Sequence, residues 1–209
     1  MKKIASPLFQ DLSEAELDTL AAAGHLRTRQ FAKHEVIFHA GSCVREIGIV
    51  LRGSVHIENL DLWGTKSILS SVGAGQAFAE TYAFCGEALM VDAVAAEHCE
   101  ILFLHTAALT DARIEPALQD KLLRRLLAVS MRKNLSLSQR IFCTTPKTVR
   151  GRLLTYFSAQ AARCGRMAFE VPFNRQQMAD YLNLDRSALS RELSRMRREG
   201  LLAYHKNHF

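Results

Sequence analysis

The sequence predicts an α+β protein: an N-terminal antiparallel β-barrel of the jelly-roll type, one long helix, and a C-terminal domain of short helices ending in a hairpin. Two observations support this fold class. Up to about residue 104, short segments rich in Val, Ile and Leu alternate with glycine turns, which is typical of antiparallel sheets. After residue 113, glycines become rare and apolar residues recur at helical spacing. We place the barrel in residues 1–112, the long helix in 113–143 and the helical domain in 144–209.

Charge divides along the same boundary. Residues 1–112 hold eight Lys and Arg against 14 Asp and Glu, a net charge of −6, whereas residues 113–209 hold 19 against seven, a net charge of +12. This segregation indicates a basic module for a polyanion, joined to a module with another task. The apolar runs are too short to cross a bilayer and no signal-peptide stretch is present, so we expect a cytoplasmic protein without a membrane partner.

The sequence contains no recognisable catalytic or metal-binding motif. Its cysteines occur singly, which argues against a disulfide scaffold and against a zinc or iron–sulfur site. No phosphate-binding loop, nucleophile elbow or zinc-protease motif occurs, so we do not expect an enzyme. The five cysteines are Cys43, Cys85, Cys99, Cys143 and Cys164.

The barrel region is predicted to open with a helix. Ser13 can serve as its N-cap, Glu16 as the second member of a capping box, and Gly24 as its end. The predicted strands that follow lie within residues 25–31, 35–41, 46–53, 54–60, 61–75, 89–95 and 100–104.

A long helix follows the barrel, because residues 115–142 contain no glycine and carry apolar side chains along one side. A helix this long and apolar usually needs a partner. We therefore expect it to pair with a second copy of the chain in a homodimer, with packing on its own barrel as the alternative. The apolar seam consists of Leu118, Leu122, Leu126 and Val129, widened by Leu123 and Leu127.

The C-terminal domain has the order helix, short strand, helix, tight turn, helix and hairpin, which predicts a winged helix-turn-helix. The short strand lies within residues 167–173, and the tail is predicted to form two strands around a turn at Lys206 and Asn207. The predicted helix boundaries are Thr145 and Pro146 at the start of the first helix, Asn174 and Asp185 as N-caps of the next two, and Gly200 at the end of the third.

The third helix of this domain has an exposed face suited to DNA. Between residues 186 and 198, Leu189, Leu193 and Met196 converge on the core side, while the opposite side is basic and hydroxylic with almost no acid. Arginine can bind guanine O6 and N7 together, and serine can donate to phosphates or base edges. We therefore predict a helix that enters the major groove rather than an ordinary solvated helix. The exposed side consists of Ser187, Ser190, Arg191, Ser194, Arg195 and Arg198.

The segment 173–202 resembles the helix-turn-helix of the Crp-Fnr family of transcription regulators. Residues 48–80 resemble that family's cyclic-nucleotide-binding-type barrel, and Pro116 to about Phe142 falls where its dimerisation helix belongs. The resemblance implies a homodimer that binds an inverted-repeat operator in double-stranded DNA and works with RNA polymerase. It also implies the DNA contacts: Ser187, Ser190 and Arg191 as base-reading residues, and Arg175, Gln176, Arg186, Ser194 and Arg198 as phosphate-binding residues.

The resemblance further implies an effector that binds the barrel. Members that bind cyclic AMP resemble one another in a Gly-Glu pair followed by an arginine that holds the phosphate; here Ala79 and Glu80 match the pair, but no Lys or Arg occurs between Ser67 and Ala112. Because a phosphate among carboxylates is costly, we predict that cyclic AMP is not the effector. We predict that an unknown small effector binds in a pocket whose lining residues are Glu80, Tyr82, Phe84, Leu89, Met90, Leu122 and Leu126. The alternative for the apolar residues of this set is that they are ordinary core residues of the barrel.

The sequence argues against an iron–sulfur cluster and singles out no haem ligand. Iron–sulfur relatives carry a cysteine group near the N-terminus, whereas the first cysteine here is Cys43, so no cluster is expected. Haem would need an axial His, Cys or Met, and no histidine is singled out by its spacing. The alternative function for the whole chain is a haem or small-ligand sensor whose basic domain docks an acidic protein partner.

Overall fold

The computed structural model describes residues 4–60 and 66–209. The chain divides into two compact units, residues 1–131 and 132–209, and the division falls inside one long helix, α3 (Pro116–Thr144). Within the described residues, no helix is both long enough and apolar enough to cross a membrane.

The first unit begins with helix α1 (Glu14–Ala22), capped as predicted. The Ser13 hydroxyl accepts a hydrogen bond from the Glu16 amide, and the Glu16 carboxylate accepts one from the Ser13 amide. Eight strands follow: β1 (Leu26–Phe31), β2 (Val36–Phe38), β3 (Glu46–Arg52), β4 (Val55–Leu60), β5 (Lys66–Val72), β6 (Ala77–Phe78), β7 (Asp92–Ala95) and β8 (Cys99–His105).

The strands form two antiparallel four-stranded sheets, in the orders β1-β8-β3-β6 and β2-β7-β4-β5. The α+β fold class is thereby confirmed, but the predicted barrel is loose: no ladder among the described strands joins one sheet to the other. Side chains from both sheets instead share one core, which includes Phe31, Phe38 and Phe103. A packed pair of sheets buries its apolar faces without closing into a cylinder.

Strand β8 is buried on both faces, which explains its continuous apolar run. Ile101 and Phe103 point into the core between the sheets. The alternate residues Leu102 and Leu104 belong to a second core, where α1 and the first half of α3 pack on the outer face of the sheet. This second core contains Leu118, Leu122 and Leu126, so the predicted seam of the long helix is in part used within the chain's own first unit.

One short helix of the first unit was not predicted. Helix α2 (Glu80–Cys85) follows β6 and ends at Gly86, which has a left-handed φ of 73°. It begins after Ala79, whose φ is 62° and which offers no side-chain cap. An alanine in the left-handed region is uncommon, and six residues are too few for a helical pattern to be evident in the sequence.

The second unit contains the end of α3 followed by α4 (Val149–Cys164), α5 (Arg175–Leu182) and α6 (Arg186–Arg198). The predicted N-caps Asn174 and Asp185 are confirmed, each accepting a hydrogen bond from the backbone three residues on. The predicted start of α4 at Thr145 and Pro146 is wrong, because Thr148 caps this helix by accepting from the Gly151 amide. Thr145 instead donates its hydroxyl to the Ile141 carbonyl and so belongs to the end of α3.

The predicted strands of the second unit are reduced to isolated bridges. Glu170 pairs with His208, and His205 pairs with His208 across a turn in which Lys206 has a φ of 52°. Pro172 has no amide to extend the first strand. We call residues 204–209 the wing.

Candidate nucleic-acid interface

Helices α5 and α6 form the helix-turn-helix that the sequence predicts. The turn between them is tight: Asn183 has a left-handed φ of 51°, and the Leu184 amide donates to the Ala179 carbonyl. The inward side chains of both helices are buried in one core, which fixes the rotation of α6 about its axis. These core residues are Met178, Ala179 and Leu182 of α5 and Leu189, Leu193 and Met196 of α6.

Two arginines bind the C-terminal carbonyls of α5. Arg140, on the last part of α3, donates to the carbonyls of Asp180 and Tyr181 at 2.9 and 3.0 Å. Arg152, on α4, donates to the carbonyls of Leu182 and Asn183 at 3.1 and 2.7 Å. Positive charge at a helix C-terminus satisfies unpaired carbonyls and opposes the helix dipole, so these arginines hold α5 in place.

The carboxylates of α6 and its C-cap are neutralised within the unit. Arg150 on α4 donates to Glu192 at 2.6 Å and to Glu199 at 2.9 Å, and Arg195 lies 3.5 and 3.4 Å from the same two carboxylates. The hydrogen bond from Arg150 holds the pKa of Glu199 below its ordinary value. The carboxylates of α6 are therefore paired with arginines, and the outward surface of the helix keeps a positive electrostatic potential.

The outward face of α6 brings most of the predicted DNA-contacting residues together. Arg191 and Arg198 are exposed and, like Arg186 in the first turn, make no ion pair among the residues that the structure describes. With their neighbours they surround an open depression of about 670 Å³. Its lining residues are Val149, Ala188, Ser190, Arg191, Glu192, Ser194, Arg195 and Arg198.

Two of the predicted serines are engaged within α6. The Ser187 hydroxyl donates to the Asp185 carboxylate, which lowers the pKa of Asp185, and the Asp185 carboxylate also accepts from the Ala188 amide. The Ser194 hydroxyl donates to the Ser190 carbonyl one turn earlier. Both hydroxyl oxygens keep lone pairs, so they can still accept hydrogen bonds from an amino group on a base edge.

The remaining two predicted contacts lie at the start of α5. Gln176 is exposed and its amide donates to Asp180 at 2.8 Å. Arg175 is only partly exposed: it donates to the Lys206 carbonyl at 2.8 Å, and its guanidinium lies 4.9 Å from the centre of the Tyr204 ring and 5.0 Å from that of Phe209. Burial lowers the pKa of Arg175. The structure thus does not place Arg175 with the exposed residues of α6.

Sequence reasoning missed the arginines that build this site, namely Arg140, Arg150 and Arg152. They look like any other basic residues of a charged helix, and their roles follow only from where the helices cross. The one signal was their number: the second half of the chain holds more arginine than its few acids can pair with.

The first unit contains a small apolar cavity of about 240 Å³ between α2 and α3. Of the predicted effector-lining residues it includes Glu80, Phe84 and Leu126. Leu89 and Leu122 lie in the two cores, Tyr82 packs against the core between the sheets, and Met90 is 77% exposed. The unpredicted lining residues are Thr81, Cys85, Leu123, Leu127 and Ser130; an assignment of 80–85 as a helix would have put Thr81 and Cys85 on one side.

No group of three or more His, Cys, Asp or Glu side chains within residues 4–60 and 66–209 is arranged to hold a metal ion.

Two family models match this chain. The model of the cyclic nucleotide-binding domain covers residues 28–113, and the model of the Crp-like helix-turn-helix domain covers residues 151–208. Among curated proteins, no relative matches.

Several solved structures share the fold. The catabolite activator protein of Thermus thermophilus is 24% identical with a TM-score of 0.50, and the match covers 97% of this chain and 92% of that one. FixK2 from Bradyrhizobium japonicum is 19% identical with a TM-score of 0.51, over 88% and 90% of the two chains. A cyclic nucleotide-binding domain from Methylobacillus flagellatus is 22% identical with a TM-score of 0.56, over 67% of this chain and 76% of that domain. At these identities the likeness concerns the fold.

Proposed function

Because the chain belongs to the Crp-Fnr family of transcription regulators, we propose that it is a homodimer that binds one inverted-repeat DNA sequence under the control of an effector. The observation that carries this proposal is the outward face of α6. Its core side is locked against α5, its acids are paired with Arg150 and Arg195, and three arginines stay available for DNA. Arg191, near the middle of that face, is the proposed guanine contact, with Ser187 and Ser190 as further base-reading residues.

Phosphate contacts are proposed for residues around this centre. Arg186 and Arg198 are exposed near the two ends of α6, where a helix lying in the major groove approaches the phosphates on either side. Two further phosphate contacts are proposed for Ser194, which is exposed on α6, and Gln176, which is exposed at the start of α5. Regulation of transcription then brings in RNA polymerase, the partner that the family resemblance implies. Members of this family are transcription regulators, and we propose no catalytic activity.

A homodimer is supported by the exposed apolar residues of α3. Leu123, Leu127 and Met131 are about half exposed although the helix has already buried its other apolar side. An apolar surface of this kind on a helix favours pairing with the same helix of a second copy. Two copies of α6 can then reach successive major grooves about 34 Å apart, which is what an inverted repeat requires.

The family model implies a cyclic nucleotide, but the residues of this chain do not fit one. Between Ser67 and Ala112 there is no Lys or Arg to hold a phosphate, and the carboxylate at the start of α2, Glu80, is only 5% exposed. The cavity beside α2 is lined mainly by Phe84 and by leucines of α3. We therefore propose that the effector is a small molecule other than cyclic AMP and that it carries no phosphate.

Selection of binding sites from random duplex DNA tests the proposed function. We expect enrichment of one inverted repeat, bound by two copies of the chain as measured by sedimentation, with an affinity at least about a thousandfold above that for random duplex. Calorimetry with cyclic AMP is expected to show no micromolar binding. A monomer without preference for any duplex would contradict the proposal and favour a basic domain that docks an acidic protein.

A further inference from the structure

The position of the wing depends on the residues packed against it. Two backbone hydrogen bonds of 3.0 Å join His205 and His208, and three more join Phe209 to Phe169 and Asn207 to Val171. Short hairpins are marginally stable in water, so contacts between the side chains of the wing and the rest of the unit help to hold it in place. Lys206 at the turn is exposed and has a left-handed φ of 52°, a conformation that a lysine adopts only when its surroundings hold it there.

Arg175 supplies part of that support, beside Phe157, whose ring centre lies 4.5 Å from that of Phe209. Its guanidinium lies over the rings of Tyr204 and Phe209, which are stacked with centres 5.6 Å apart, and one nitrogen donates to the carbonyl of Lys206 itself. Cation–π contacts and a charge-assisted hydrogen bond act together at this point. Arg175, the first residue of α5, thus contacts Tyr204 and Phe209 on the two sides of the wing turn and Lys206 within it.

The same contacts leave Arg175 badly placed to bind a phosphate. Its second terminal nitrogen, Nη1, is buried and has no hydrogen-bond partner within the described residues. A phosphate oxygen can reach this nitrogen only if the guanidinium leaves the two rings and releases the Lys206 carbonyl. The side chain with a free ammonium group at this end of the unit is Lys206, which no carboxylate pairs within the described part of the chain.

We propose that Arg175 is a positioning residue that fixes the wing so that Lys206 contacts the DNA backbone, and that Arg175 itself holds no phosphate. The proposal replaces the phosphate contact expected of Arg175 from the family resemblance. Its DNA-binding part rests on the proposed function, whereas the contact between Arg175 and the wing does not.

The first experiment is made on the full chain without DNA. Hydrogen–deuterium exchange of the C-terminal peptide, which contains the amides of His205, His208 and Phe209, is compared between the wild type and Arg175→Ala. We expect exchange about tenfold faster in the variant, because local opening of the wing becomes easier. Arg166→Ala, which removes the same charge from an exposed position of the same unit, is the control and is expected to leave exchange unchanged.

The second experiment measures the salt dependence of binding to random-sequence duplex DNA. Each phosphate contact contributes about 0.9 to the slope of log K against log salt. Lys206→Ala is expected to lower the slope by about 0.9 per subunit. Arg175→Ala is expected to lower it by no more than that, and the double variant is expected to match Lys206→Ala alone.

Two results would overturn the proposal. Unchanged exchange of the wing in Arg175→Ala would show that Arg175 does not hold it, and a double variant whose slope falls about twice as far would show that Arg175 binds a phosphate of its own. Arg175→Lys keeps the charge but lacks the flat guanidinium, so we expect fast wing exchange here too, and wild-type exchange would also count against the proposal. Because exchange is measured without DNA, a failure of DNA binding is distinguishable from a failure of the wing contact.

Discussion

At the scale of single residues, the arginines of the second unit occupy two kinds of environment. Arg140, Arg150 and Arg152 are partly buried and donate to carbonyls or carboxylates of neighbouring helices, so they are part of the packing. Arg191 and Arg198 are exposed and make no such bond to any residue that the structure describes. Both kinds occur at similar intervals along basic helices. The sequence alone could therefore predict that a basic face exists, but not which arginines belong to it.

Arg191→Ala is expected to change the recognition of DNA bases without changing the stability of the fold. We expect it to weaken binding to the selected operator by about 1–3 kcal/mol and to relax the preference at one base position of each half-site. The melting temperature should stay nearly unchanged, because the side chain is exposed and makes no ion pair within the described residues. Binding is measured by fluorescence anisotropy against operators that carry single base changes.

Arg152→Ala is the matched contrast to Arg191→Ala, since it removes the donor to two carbonyls at the end of α5 and should lower stability. A uniform loss of affinity for every sequence in Arg191→Ala would assign that arginine to a phosphate instead of a base.

At the scale of elements, three helix N-caps were predicted correctly. The capping residues Ser13, Asn174 and Asp185 each bind the amide that the pattern indicated. Helix α2, which begins after a left-handed alanine without a side-chain cap, was missed, and α4 was misplaced because Thr148, three residues after Thr145, is its cap. Caps are local chemistry and can be inferred from spacing, but spacing alone does not choose between two neighbouring threonines, and a start without a cap leaves no local signal.

The capping box of α5 can be tested by Asn174→Ala. The Asn174 side chain accepts from the Gln177 amide, and the Gln177 side chain accepts from the Asn174 amide, both at 2.9 Å. We expect the free energy of unfolding of the second unit to fall by about 1 kcal/mol, measured by urea denaturation followed by circular dichroism. Asn174→Asp is the control: it keeps an acceptor, gains a favourable charge at the helix start, and should lose little stability. Equal losses in both variants would contradict the assigned cap.

At the scale of the whole molecule, the chain joins two units with separate cores and opposite charge. The charge boundary and the change from strand to helical patterns lie near residue 112 in the sequence, whereas the two units divide between residues 131 and 132, inside α3, because the first half of this helix packs on the sheets. The cavity between α2 and α3 is different. Its walls come from α2 and from α3 across many intervening residues, so only Glu80, Phe84 and Leu126 were anticipated.

The stability of the first unit is expected to depend on acid through Asp111. Its carboxylate accepts from Arg113, which lowers the pKa of Asp111 most, and also pairs with His25 at 2.7 Å. A carboxylate with a lowered pKa stabilises the fold above its ordinary unfolded pKa of about 4, and this contribution is lost as the pH falls below that value. Asp111→Asn should therefore unfold at a lower urea concentration than the wild type at pH 7. Its unfolding midpoint should also fall less than that of the wild type as the pH is lowered.

Urea denaturation of the wild type and Asp111→Asn from neutral pH down to about pH 3 measures this difference. Asp120→Asn is a suitable control, because Asp120 is more exposed and its one ion pair within the described residues is with Arg124 on the same helix. Parallel acid profiles for the wild type and Asp111→Asn would exclude this role of Asp111.

The hydrogen bonds of Arg140 couple the end of α3 to the helix-turn-helix. Arg140 belongs to the last turns of α3, and it donates to the carbonyls of Asp180 and Tyr181 at the end of α5. If the final turns of α3 rotate, either both hydrogen bonds break or α5 moves with them, and α6 moves with α5 because the two helices share one core. A rotation at the end of α3 would in this way change the tilt of α6 without any further element between them.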